Sequence, residues 1–158
     1  MNWLGAVLLV VAGAAAGFEK TASVGRTINF LEEWISLIRH ISTELQQRRC
    51  PLPEMLERHR SKKLPLLVWK AALQNGQTVL ETVEPWLTNL EPDAGRVVFE
   101  LCGILGRYDG ETQVKACAYA IKQLEEQRQN LRRQLAEKGK LYHAVPLTLG
   151  LMAALALL

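Results

Sequence analysis

The chain is poor in the residues that build catalytic and metal centres. Its 158 residues include three histidines, His40, His59 and His143, on separate segments. Three cysteines, Cys50, Cys102 and Cys117, form no C-x-x-C pair, and no histidine stands at ligand spacing from any of them. That pattern argues against a zinc site, and an odd, widely spaced set argues against a disulfide scaffold and suits a reducing compartment. No glycine-rich phosphate loop follows a strand, and no Ser or Cys has a visible base partner. Aromatic residues make up 6% and net charge is +3, with no interleaving of rings and cations that would stack and clamp a nucleic acid. These absences point away from an enzyme, a cofactor and a nucleic-acid partner, and towards a protein that holds and contacts.

Two uncharged stretches frame the sequence: Trp3 to Phe18 (WLGAVLLVVAGAAAGF) and Ala144 to Leu158 (AVPLTLGLMAALALL). As a helix the first spans about 24 Å at ~1.5 Å per residue, short against a hydrocarbon core of about 30 Å. Lys20 and Arg26 follow it, and Lys138, Lys140 and His143 precede the second. The cations of both flanks therefore face the middle of the chain, which places that middle in the cytoplasm and both termini on the far side. The expected organisation is an N-terminal transmembrane helix over 1–19, a cytoplasmic helical-bundle domain over 20–140 and a C-terminal transmembrane helix over 141–158. Gly13 and Gly17 form a G-x-x-x-G step suited to close packing of membrane helices. A cleaved leader is the alternative reading of the first stretch, since Ala12 to Gly17 offers small-residue cleavage sites. It would make the chain a secreted or membrane-tethered helical binding protein.

Between the apolar ends the pattern is helical throughout. Ile28, Leu31, Ile35, Ile38, Ser42 and Leu45 follow three- and four-residue steps, predicting a helix over 27–48. Pro51 ends it, and Pro53 suits the first turn of a short helix to about residue 60. The basic run Arg58, Arg60, Lys62 and Lys63 falls on the following loop, where it serves as solvated surface, lipid contact or docking point for an acidic partner. Further helices are expected over 66–74, over 78–90 with a Thr78–Glu81 capping box and a kink or division at Pro85, and over 94–105. The turn Gly106, Arg107, Tyr108, Asp109, Gly110 leads into a last helix over 111–138, broken at Gly139. Its seam is Val114, Cys117, Ile121, Leu124, Arg128, Leu131 and Leu135. The fold class is all-α, an antiparallel bundle of about six helices flanked by two terminal transmembrane helices.

Four stretches resemble the stage III sporulation protein AB family of endospore-forming bacteria: Leu4-Gly5-Ala6 to Ala16-Gly17-Phe18, Pro51-Leu52-Pro53-Glu54, Leu105-Gly106-Arg107-Tyr108-Asp109, and Gln113-Val114-Lys115 to Gln123-Leu124-Glu125. The chain departs from the family pattern at Ala116, where a polar residue or His is expected, and at Gly110-Glu111-Thr112. The family's domain is similar to the cytoplasmic helical bundles of the type II secretion platform protein F. The resemblance implies a non-enzymatic membrane platform subunit of a sporulation transenvelope channel, the feeding-tube complex, in the mother-cell membrane around the forespore. It implies a secretion-type ATPase and other sporulation channel subunits as partners, beside membrane lipid, and a ring-forming partner would favour a homo-oligomer. Candidate partner contacts are Arg58, Arg60, Lys62 and Lys63 on the basic run and Gly106, Arg107 and Asp109 on the turn. Pro51, Leu52, Pro53 and Glu54 are expected to serve structure.

Overall fold

Helix α1 runs without interruption over Trp3–Gln47, so the expected gap between an N-terminal helix and one starting near residue 27 is absent. The joining residues 19–27 hold no proline, and their one glycine costs only about 1 kcal/mol in a helix interior. Thr21 and Thr27 donate their hydroxyls to the carbonyls of Gly17 and Ser23, at 3.0 and 3.3 Å, which keeps both side chains within the helical register. The computed structural model describes residues 3–48 and 50–156. Side chains of 1–7, 9–10, 16, 141–143, 146–147, 149–151 and 153–158 lie outside that description, and the two expected membrane spans fall largely there. Among the described residues, no helix is long and apolar enough to cross a membrane.

Four short helices follow: α2 (Leu52–Arg58), α3 (Leu66–Gln74), α4 (Val79–Leu87) and α5 (Pro92–Ile104). Their boundaries are written in local chemistry. Pro51 and Pro53 open α2, and Glu54 faces its positive end. Thr78 caps α4 by the expected box: its Oγ accepts from the Glu81 N–H at 3.2 Å, and the Glu81 carboxylate accepts from the Thr78 N–H at 2.9 Å. Pro85 does not divide α4. It sits in the last turn, where its missing N–H interrupts one bond, and the helix ends two residues on at Leu87. Glu91 stands at the N-cap position of α5 without a side-chain bond to the helix, and Pro92 and Asp93 fill the first turn.

Helix α6 runs over Gly110–Ala156 and continues through Gly139, which was expected to break it. The surrounding Leu, Ala, Glu, Lys and Gln are strong helix formers, and one glycine in their midst costs about 1 kcal/mol.

The chain divides into two compact units. One comprises residues 1–28 with 129–158. In it Gly17 is buried and Gly13 half-buried, while Leu8, Val11, Phe18, Val145 and Met152 are exposed.

Residues 29–128 form the other unit. Its core is the α1 seam, Leu31, Trp34, Ile35, Ile38 and Ile41, against Met55, Leu56, Leu66, Trp69, Val83, Val98 and Leu101. From α6 it takes Cys117, Ala120 and Leu124. An aromatic chain ties three helices together: Phe30 lies edge-on to Trp34 at 6.5 Å, Trp34 meets Trp69 at 5.3 Å, and Trp69 meets Trp86 at 6.5 Å. Such ring pairs add about 0.5–1.5 kcal/mol each beyond area burial. Arg39 on α1 reaches Glu125 on α6 at 2.6 Å, but both side chains are solvated and the pair is worth at most about 1 kcal/mol.

Candidate partner interface

Residues 105–113 form a turn whose interior is almost wholly spent on holding itself. Gly106 adopts φ +79°, a left-handed conformation that a side chain would strain. Gln113, on the first turn of α6, reaches back over the loop. Its Oε1 accepts from the Gly106 N–H at 3.3 Å and its Nε2 donates to the Tyr108 carbonyl at 2.5 Å. Asp109 caps α6, accepting from the Thr112 N–H at 3.0 Å and the Thr112 hydroxyl at 2.6 Å. Those bonds hold the Asp109 carboxyl below the usual carboxylate range. Gly106 and Asp109 therefore have internal roles. The side chains of Arg107 and Tyr108 hold no part of the turn: both residues are exposed, Tyr108 by 58%, and Arg107 adds only its charge in the neighbourhood of Glu81.

The turn borders a cleft of about 750 Å³. Gly106, Asp109, Gly110, Glu111, Gln113 and Val114 line one wall; Leu45, Cys50, Pro51, Leu52 and Met55 line the other. Three separate sequence segments thus meet there: the end of α1, the Pro51-Leu52 step and the α5–α6 turn. Of the Pro51-Leu52-Pro53-Glu54 motif, Leu52 and Pro53 are half-buried and Pro51 and Glu54 exposed. The bonds from the N–H groups of Glu54 and Met55 to the Pro51 carbonyl, at 3.0 and 3.3 Å, start α2.

The basic run starts at Arg58, the last residue of α2, beside Cys50 of the cleft, and continues through the loop to α3; it is not uniformly free. Arg58 pairs with Glu44 at 3.1 Å, and the same nitrogen lies 3.9 Å from the Cys50 sulfur. His59 turns inwards and lies over His40 with ring centroids 5.1 Å apart. His40 Nε2 lies 3.0 Å from the Met55 carbonyl, which can only accept, so this nitrogen carries the proton. Burial, then the neighbouring His40, pushes the His59 pKa down against the opposing pull of Glu33. Ser61 donates to Glu33 at 2.5 Å and accepts from the N–H groups of Lys63 and Leu64 at 3.2 and 3.0 Å. Arg60, Lys62 and Lys63 remain exposed. Among the described residues, no group of three or more His, Cys, Asp or Glu converges to hold a metal ion.

A family model, stage III sporulation protein AB, matches residues 2–158. The chain belongs to that family. Membership carries a role in sporulation. No curated protein and no solved structure matches the chain. Two of the family-like stretches, Pro51 to Glu54 and Leu105 to Asp109, lie far apart in sequence yet border the same cleft. Sequence reasoning selected the turn but missed Gln113 as its organiser and Tyr108 as its outward residue. The spacing of Gly106, Asp109 and Gln113 around a helix start was the available signal.

Proposed function

We propose that the chain is a non-enzymatic membrane platform subunit of a sporulation channel. Residues 29–128 lie in the cytoplasm of the mother cell, and the two apolar ends anchor them in the membrane around the forespore. Support for the anchors comes from the uncharged ends, their inward-facing cations and the exposed Leu8, Val11, Phe18, Val145 and Met152. The burial of Gly17 fits close packing of the two ends on each other.

The partner in this reading is a cytoplasmic secretion-type ATPase, whose work the subunit passes to the membrane ring. The observation that carries the proposal is the α5–α6 turn. Gly106, Asp109 and Gln113 fix its shape from inside, so Arg107 and Tyr108 are presented without the ordering cost of a loose loop. Arg and Tyr are the residue types that concentrate binding energy at protein interfaces, and the cleft beside them can receive an anchoring side chain.

The test is binding of the ATPase to the full-length chain held in lipid nanodiscs. Arg107→Ala with Tyr108→Ala should weaken binding about 10- to 100-fold, the loss of one or two anchor residues. Unchanged affinity in the double variant, or no binding by the parent chain, would contradict the proposal.

A further inference from the structure

Between Glu57 and Glu81 the sequence contains no acidic residue. The fold sorts this segment by side. His59, Ser61, Leu64, Leu66 and Trp69 are half-buried or buried, and the first two fasten the loop to α1 through His40 and Glu33. Over residues 60–71 the outward residues are Arg60, Lys62, Lys63, Leu67, Val68 and Ala71, all basic or aliphatic; the exposed residues 74–78 beyond them are polar or glycine. Leu67 and Val68 are 76% and 62% exposed. The other two cations of the segment are already engaged, Arg58 with Glu44 and Lys70 with Glu57 at 2.8 Å. Arg60 and Lys62 have no acidic partner among the described residues, and Lys63 lies at the edge of a shallow hollow shared with Glu32 and Glu33.

We propose that this face, Arg60, Lys62 and Lys63 beside Leu67 and Val68, docks on the surface of an anionic phospholipid bilayer. Three cations on long flexible stems, without the carboxylate partners that Arg58 and Lys70 have, suit a diffuse negative surface. Two neighbouring aliphatic side chains projecting into solvent suit an apolar layer next to that charge. An anionic bilayer supplies both within one headgroup depth. The two fastenings on α1 fix the path of the loop that carries the cations, and the aliphatic pair follows at the start of α3. The source of the bilayer rests on the membrane reading above; the chemistry of the face does not.

The experiment uses the full-length chain with Cys50→Ser and Ala71→Cys, labelled at position 71 with an environment-sensitive fluorophore; Cys102 and Cys117 are buried and stay unmodified. It is reconstituted into vesicles of phosphatidylcholine alone or with phosphatidylglycerol, and protein-free vesicles of the same lipid are added to supply a second bilayer. The expected result is blue-shifted emission and protection from iodide quenching only with phosphatidylglycerol. Arg60→Glu, Lys62→Glu and Lys63→Glu together should abolish both, and Leu67→Ser with Val68→Ser should remove most of the shift. These five positions are exposed, and unchanged near-ultraviolet dichroism from the buried Trp34 and Trp69 verifies the fold. Emission that does not differ between the two lipids overturns the proposal, as does a shift that survives charge reversal. A chain that fails to float with phosphatidylcholine vesicles instead contradicts the membrane anchors. The same labelled chain added to preformed anionic vesicles then still reads the face.

Discussion

Gln113 bridges the Gly106 N–H and the Tyr108 carbonyl with a single side-chain amide, so one residue of α6 sets the path of the loop that precedes it. Replacing Gln113 with Leu removes both bonds at a half-buried site. Urea unfolding should show a loss of about 1–2 kcal/mol. Gly106→Ala should cost about 1–2 kcal/mol through its left-handed backbone alone. Because the two changes act on one turn, the double variant should lose less than the sum.

Thr78 is a second local lock, at the start of α4. Its hydroxyl and N–H both serve Glu81, and those bonds, with a smaller contribution from Arg107, hold the Glu81 carboxyl below its ordinary range. Thr78→Ala should cost about 1 kcal/mol, whereas Thr78→Ser should be close to neutral, as denaturant midpoints can show.

His59 predicts a pH dependence. Its folded-state pKa is depressed below 6.5, chiefly by burial and then by His40, so the unfolded chain takes up a proton first. The stability associated with neutral His59 is present above about pH 6.5 and declines as pH falls from there towards its folded-state pKa. Melting temperature should drop between pH 7 and 5, and His59→Gln should flatten that part of the curve. A slope unchanged in His59→Gln would show that His59 does not drive it.

The thiols should separate cleanly in reactivity. Burial, with a further push from the neighbouring Cys117, raises the Cys102 thiol to about 12, and burial alone raises Cys117 to about 11. Cys50 is half-buried at the edge of the cleft. At pH 8 a maleimide should modify Cys50 first, with Cys102 and Cys117 reacting only on unfolding. Mass spectrometry of the modified peptides tests this.

Helical periodicity made the bundle legible. The seam from Ile28 to Ser42 is buried as its spacing implies, and α3 keeps the expected range 66–74. Breakers were misjudged where neighbours outweighed them: Gly139 is one weak residue among strong helix formers, and Pro85 falls where few bonds remain to lose. The interface was harder to see because charge marks surface without saying which cations are spent. Arg58 and Arg60 look alike in sequence, yet only Arg58 has Glu44 within reach. Asp109 looked like a contact residue, but its oxygens are committed to Thr112. Tyr108 gains meaning only once Gln113 is seen to hold its carbonyl inwards.

The most direct test of the central claim places a photo-crosslinking amino acid at position 108 of the full-length chain in sporulating cells. Irradiation should yield a membrane-associated adduct between this chain and the secretion-type ATPase, and Arg107→Ala should reduce it. A crosslinker at exposed Lys115, on the neighbouring turn of α6, is the control for proximity without contact. If position 108 gives no ATPase adduct, or gives no more than position 115, the turn is not the coupling surface and the platform account is contradicted.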